Sequence, residues 1–124
     1  MRQLEQVLTE FGRDIGLQGL EPGASGDVQL RLASGALLGA STQGEEVVLH
    51  YAEPVQFDSA RLVFKGMQRL AQSETAADPV QIGWRQTAQG EWLVAGTRLP
   101  LERLNAREVH RLGGYLQAWL AQLR

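Results

Sequence analysis

Three features of the sequence predict an α+β fold. Apolar residues recur at helical spacing near the start, middle and end of the chain, and at a two-residue spacing in between. The alternating segments are separated by short turns, so successive strands are expected to pair antiparallel. At 124 residues the length suits one domain over 1–124, large enough to bury a core. The expected order is α-β-β-β-α-β-β-α: a mainly antiparallel five-stranded sheet with three helices.

From Gln3 to Leu17 the residues Leu4, Val7, Leu8, Phe11 and Ile15 fall on one helical face. Gly16, Gly19 and the run EPGASG then stop the helix and open a loop. In DVQLRL, Val28, Leu30 and Leu32 alternate with Gln29 and Arg31, and GALLGAS and EEVVLHYAE follow. Turns at Ser34-Gly35 and Gln43-Gly44 make these a three-stranded meander. Val47, Leu49 and Tyr51 point one way and Val48 and His50 the other, so the second face of the sheet is not cleanly polar.

Asp58 is placed to cap a second helix running to about Ser73, with Ala60, Val63, Phe64, Met67, Leu70 and Ala71 as its stripe and Leu62 off it. After the loop SETAADP, Val80, Ile82 and Trp84 alternate, and EWLVAGTRL follows a turn at Gln89-Gly90. Pro100 interrupts the last strand. Asn105 with Glu108 has the spacing of a capping box, and Val109, Leu112, Leu116, Trp119, Leu120 and Leu123 form the apolar face of a third helix.

The formal net charge is -2, with an isoelectric point near 5.7 and no basic run. A nucleic-acid partner is therefore not expected. No apolar stretch reaches a membrane span, and MRQLEQVLTEF lacks the plan of a signal peptide, so a cytoplasmic location is expected. Cysteine is absent, which excludes disulfides and thiolate chemistry.

No catalytic residue, metal ligand set or cofactor motif is expected. His50 and His110 are the only histidines and have no acidic cluster at metal-ligand spacing. No serine sits in a nucleophile elbow. The glycines form no phosphate loop, and Gly113-Gly114 lies within a helix, where it is expected to permit close packing against another helix. Glu45 and Glu46 are expected on opposite sheet faces and make no carboxylate pair. What the sequence does carry is apolar surface. Leu62 lies off the main stripe of its helix, and Trp92 and Val94 oppose Leu93 and Ala95, which fits either a sheet buried on both sides or surface shared with other chains.

The segments FGRDIGL, DVQLRLASGALLGAS, EEVVLHYAE, SARLVFKGMQRLAQ, VQIGW and EWLVAGTRLPLERLN, closed by an amphipathic helix, make the chain resemble the class I type III secretion chaperones over essentially its whole length. The resemblance implies an enzymatically inactive dimer around which the N-terminal region of a secreted gatekeeper (YopN-like) or effector wraps in extended form. It implies either an unlike partner subunit (YscB-like) or a second copy of the chain. It places Leu62, Phe64, Met67, Ile82, Trp84 and Trp92 at the subunit interface, and Val28, Leu30, Leu38, Val47 and Leu49 against the client. The family is often strongly acidic and this chain is only mildly so, which weakens any idea of electrostatic steering of the client. Two alternatives remain: a homodimeric chaperone for a different effector, and an α+β domain that binds a small molecule.

Overall fold

The computed structural model describes residues 2–17, 21–22, 28–72 and 79–124. Helix α1 spans Arg2–Asp14 and buries Leu4, Val7, Leu8 and Phe11, the expected face. It ends earlier than Leu17 because Gly16 adopts a left-handed φ of 83°. The Leu17 amide then reaches back to Gly12 O at 2.7 Å and the Gly16 amide to Arg13 O at 3.1 Å, a Schellman closure of the free carbonyls. Ile15 falls outside the helix and is 40% exposed.

Six strands follow among the described residues: β1 (Glu21–Pro22), β2 (Val28–Arg31), β3 (Leu37–Gln43), β4 (Glu46–Val55), β5 (Gln81–Thr87) and β6 (Gly90–Pro100). They form one antiparallel sheet in the order β1-β2-β3-β4-β6-β5. Five strands match those expected. The sixth, β1, is a two-residue edge strand inside the run expected as a loop, where a proline is tolerated. The rest of that run, and SETAADP apart from Pro79, lie outside the described residues.

The meander turns are tight. Leu32 and Ala36 close the first, with Gly35 at φ 92°. Gln43 pairs with Glu46, so the second loop is Gly44-Glu45, one residue later than expected; Thr87 pairs with Gly90, so the last turn is Ala88-Gln89, one residue earlier than expected.

Helix α2 (Ser59–Gln72) follows an Asp58 with φ 63°, and α3 (Ala106–Ala121) follows a short 3-10 turn over Leu101–Arg103. Asn105 Oδ1 accepts from the Glu108 amide at 2.8 Å, as the capping box requires. The Glu108 carboxylate, however, takes the Arg111 guanidinium at 2.8 Å.

The three helices share one face of the sheet. Val28 and Leu30, Leu38 and Ala40, Val47, Leu49 and Tyr51, and Leu93, Ala95 and Leu99 project into a continuous core with α1, α3 and Leu62 of α2. Thr97, buried among them, is satisfied by donating to Pro79 O at 2.7 Å. α3 packs on β4 and β6 and against α1, while α2 lies over β5 and β6. Lys65 Nζ reaches Leu123 O at 3.3 Å and the Arg69 guanidinium sits over Trp119, tying α2 to the end of α3. Arg124 closes the corner by pairing with Glu53 at 2.8 Å.

On the opposite face, Leu37, Ala52 and Trp92 form a second small buried cluster flanked by Val94. The register places Leu37, Ala52 and Val94 side by side across three strands. Trp92 donates its indole N–H to Thr87 Oγ1 at 3.0 Å, so the ring is buried with its one polar atom paired.

Candidate interaction surfaces

The amphipathic face of α2 is turned relative to its expected stripe. Leu62 and Gly66 are its buried residues, Val63 and Leu70 are half-buried, and Phe64 and Met67 stand 61% and 58% exposed. The cause is Gly66: it lets the helix settle onto β5 so closely that a Cβ there would collide with Ile82 Cδ1. Trp84, paired with Leu93 and so on the same sheet face as Ile82, is 47% exposed beyond this contact. Among the described residues β5 is an edge, pairing with β6 alone. Phe64, Met67 and Trp84 thus give the α2–β5 end of the molecule an uncovered apolar surface. Of the other interface candidates, Leu62 and Ile82 are spent within the chain between α2 and the sheet. Trp92 lies on the opposite sheet face from Trp84, inside the Leu37–Ala52 cluster, because its neighbour across the ladder is Arg85 and not Trp84.

A second apolar surface lies at the other end. Phe11, Ile15, Leu32, Leu38, Tyr51 and Gly113 line a groove of about 330 Å³ between α1, α3 and the sheet, with His110, Gly114 and Gln117 at its exposed margin. The His110 ring stands 6.0 Å from that of Phe11, centroid to centroid. Burial lifts the Tyr51 phenol above its ordinary pKa and the Glu53 charge adds to the lift, while a hydrogen bond with Ser34 and the Arg124 charge oppose it. The phenol therefore stays neutral at physiological pH.

The five client candidates are placed differently from expectation. Val28, Leu30, Leu38, Val47 and Leu49 are all buried beneath α1 and α3, with Leu30 2% exposed. They are core in the single chain because strand alternation puts them on the helix-covered face; Leu38 also lines the groove. Of the residues that open this groove, Ile15 is read from periodicity as part of the buried face of α1, and neither His110 nor Gln117 is singled out by periodicity. The one available signal was Gly16, which ends the helix and leaves the preceding isoleucine without a covering turn.

His50 lies over Gly39 on the face away from the helices, whereas His110 belongs to α3 on the other side of the sheet. Among the described residues no group of three or more His, Asp and Glu converges as a metal site would need. No helix among them is long and apolar enough to cross a membrane.

The arrangement of three helices on one face of a meander extended by a hairpin is shared with known structures. Yersinia pestis SycH, a type III secretion chaperone solved with a stable fragment of YscM2, superposes with a TM-score of 0.61 at 13% identity, covering 99% of this chain and 98% of that one. SchA, from a HopA1-SchA chaperone-effector complex, gives 0.58 at 18% identity over 98% and 93%. The fold is that of the secretion chaperones. E. coli YbjN, a candidate transcription regulator, also shares it at a TM-score of 0.53 and 10% identity, over 95% of this chain and 86% of that one. No protein-family model and no curated protein matches the sequence.

Proposed function

We propose that the chain is a non-enzymatic, cytoplasmic type III secretion chaperone that holds the N-terminal region of a secreted gatekeeper or effector in extended form. Its nearest functional counterpart in this reading is SycN, a subunit that pairs with a YscB-like partner to serve a YopN-like client. The observation that carries the proposal is the separation of two uncovered apolar surfaces on this fold: Phe64, Met67 and Trp84 at the α2–β5 end, and the Phe11–Ile15 groove between α1 and α3. One suits a second subunit and the other a client, and an apolar surface left in water by a single chain is a mark of such use. SycH and SchA were each solved with a protein partner, which supports the same role here.

Fold alone does not fix function, and YbjN shares this one. The groove has the volume of a small-ligand pocket, which favours a ligand-binding domain as the second reading. Co-expression separates them. The chain is made alone, with a YscB-like subunit, and with that subunit plus the N-terminal region of a YopN-like protein, and each product is weighed by light scattering. A two-subunit species that retains the client is expected. A lone monomer that ignores both proteins would defeat the chaperone reading.

A further inference from the structure

Helix α2 leaves a second apolar stripe uncovered, about a third of a turn around the helix from the one that meets the sheet. Ala60, Phe64, Met67 and Ala71 are all exposed and follow one another at steps of four, three and four residues. Phe57, 75% exposed, stands just ahead of them. The same helix carries Arg61, Lys65 and Arg69 and no Asp or Glu. Lys65 and Arg69 are turned to α3, the first on Leu123 O and the second over Trp119. Arg61 borders the exposed stripe. Its ion pair with Asp58 is long, 4.0 Å, and open to water on both sides, so it holds the guanidinium only weakly.

We infer that this stripe receives a helix of an unlike chain, one whose own apolar row is bordered by Asp or Glu, and that it discriminates against a second copy of this chain. The inference rests on the two-subunit reading above and deepens it by giving the partner's chemistry. Stripe residues one turn apart repeat about every 5 Å, the pitch at which another helix presents its side chains, whereas same-face residues of a strand repeat at nearly 7 Å. Phe64 and Met67 stand at the centre with an alanine at each end, so a second helix can lie along about three turns without being held off. Charge then decides which helix. Residues that border an apolar seam select the partner. Two copies of α2 would meet with three cations apiece and one Asp58 apiece, so positive charge is in surplus throughout the contact. A helix rimmed by carboxylates gives Arg61 a partner and offsets that surplus. Selection thus comes from rejection of the copy as well as attraction of the partner.

The probes are two synthetic amphipathic helices with the same Leu and Ala stripe, one bordered by Glu and the other by Lys. Each is added to the full chain and followed by sedimentation and by indole fluorescence, Trp84 being 47% exposed at the same end of the molecule. The Glu-bordered helix is expected to bind at least about tenfold more tightly at low salt, and the gap to close in about 1 M salt. Arg61→Glu is expected to reverse the order and Arg61→Gln to erase it. Self-association of the parent chain is expected to be weaker than its binding of the Glu-bordered helix. Equal binding of the two helices would overturn the inference, as would a preference unmoved by Arg61→Glu. So would a self-dimer tighter than the Glu-bordered complex and broken by Met67→Asp. If co-expression yields a complex with an unlike subunit that ignores Arg61→Glu, the inference falls and the chaperone reading stands; if no second subunit is held at all, the reading itself falls.

Discussion

Gly66 of α2 lies directly over Ile82 of β5, with no room for even one added carbon between them. This contact sets the roll of α2 on the sheet, and thereby decides that Phe64 and Met67 face outward. Gly66→Ala should lower stability by about 1–2 kcal/mol, because overpacking costs more than the helix gains from alanine. In an Ile82→Ala background the same change should become neutral or stabilising. A double-mutant cycle by urea unfolding measures the coupling; its absence would mean that the helix shifts freely on β5.

Met67→Asp and Trp84→Asp should leave the circular dichroism spectrum of the chain unchanged, since both residues are exposed, Met67 at 58% and Trp84 at 47%. In the proposed dimer each would bury an unpaired carboxylate, which costs several kcal/mol and is avoided by dissociation. Sedimentation velocity should therefore show the smaller species. Trp92→Asp should instead unfold the chain, as it strikes the Leu37–Ala52 cluster.

Leu30→Asp should unfold the chain, because Leu30 sits beneath α1 against Gly12. Ile15→Asp should keep the melting temperature within about 1–2 °C while weakening client retention, since an exposed substitution changes stability little. The pair distinguishes core from groove in one thermal scan and one pull-down. Equal loss of folding in both would show that Ile15 is structural.

Tyr51 provides a pH test. Its pKa is raised in the folded chain, so the folded state holds the phenolic proton more tightly than the unfolded state does. The resulting stabilisation is fully present below pH ~10 and is lost as pH rises through the folded pKa. The stability difference between the parent chain and Tyr51→Phe should thus be flat at neutral pH and fall in alkali. A difference that stays constant to high pH would mean that the phenol is not held away from water.

Much of this architecture was legible because each element announces its own period. Leu4, Val7, Leu8 and Phe11 fix α1, and Asn105 fixes the start of α3, through interactions among near neighbours in the sequence. The surfaces were less legible because they depend on what packs where. Nothing in SARLVFKGMQRLAQ alone shows that Gly66, and not the Phe64–Met67 stripe, meets the sheet; that follows from Ile82, sixteen residues on. Val28 and Leu30 read equally well as core or as client-facing until α1 is seen to cover them. Trp84 and Trp92 look alike in sequence, yet the antiparallel register sends them to opposite faces.

The packing of α1 against α3 has a consequence for how the chain acquires its structure. Helix α1 packs on β2 close by in the sequence but also on α3 at residues 106–121, so most of this domain must be synthesised before the side of α1 that meets α3 is covered. The meander from Val28 to Val55 joins neighbours through tight turns and can form early, but it then waits with its apolar face open. Through that interval the nascent chain is at its most vulnerable to aggregation. Any shortening that removes α3 uncovers the side of α1 that packs on it and leaves α1 held by β2.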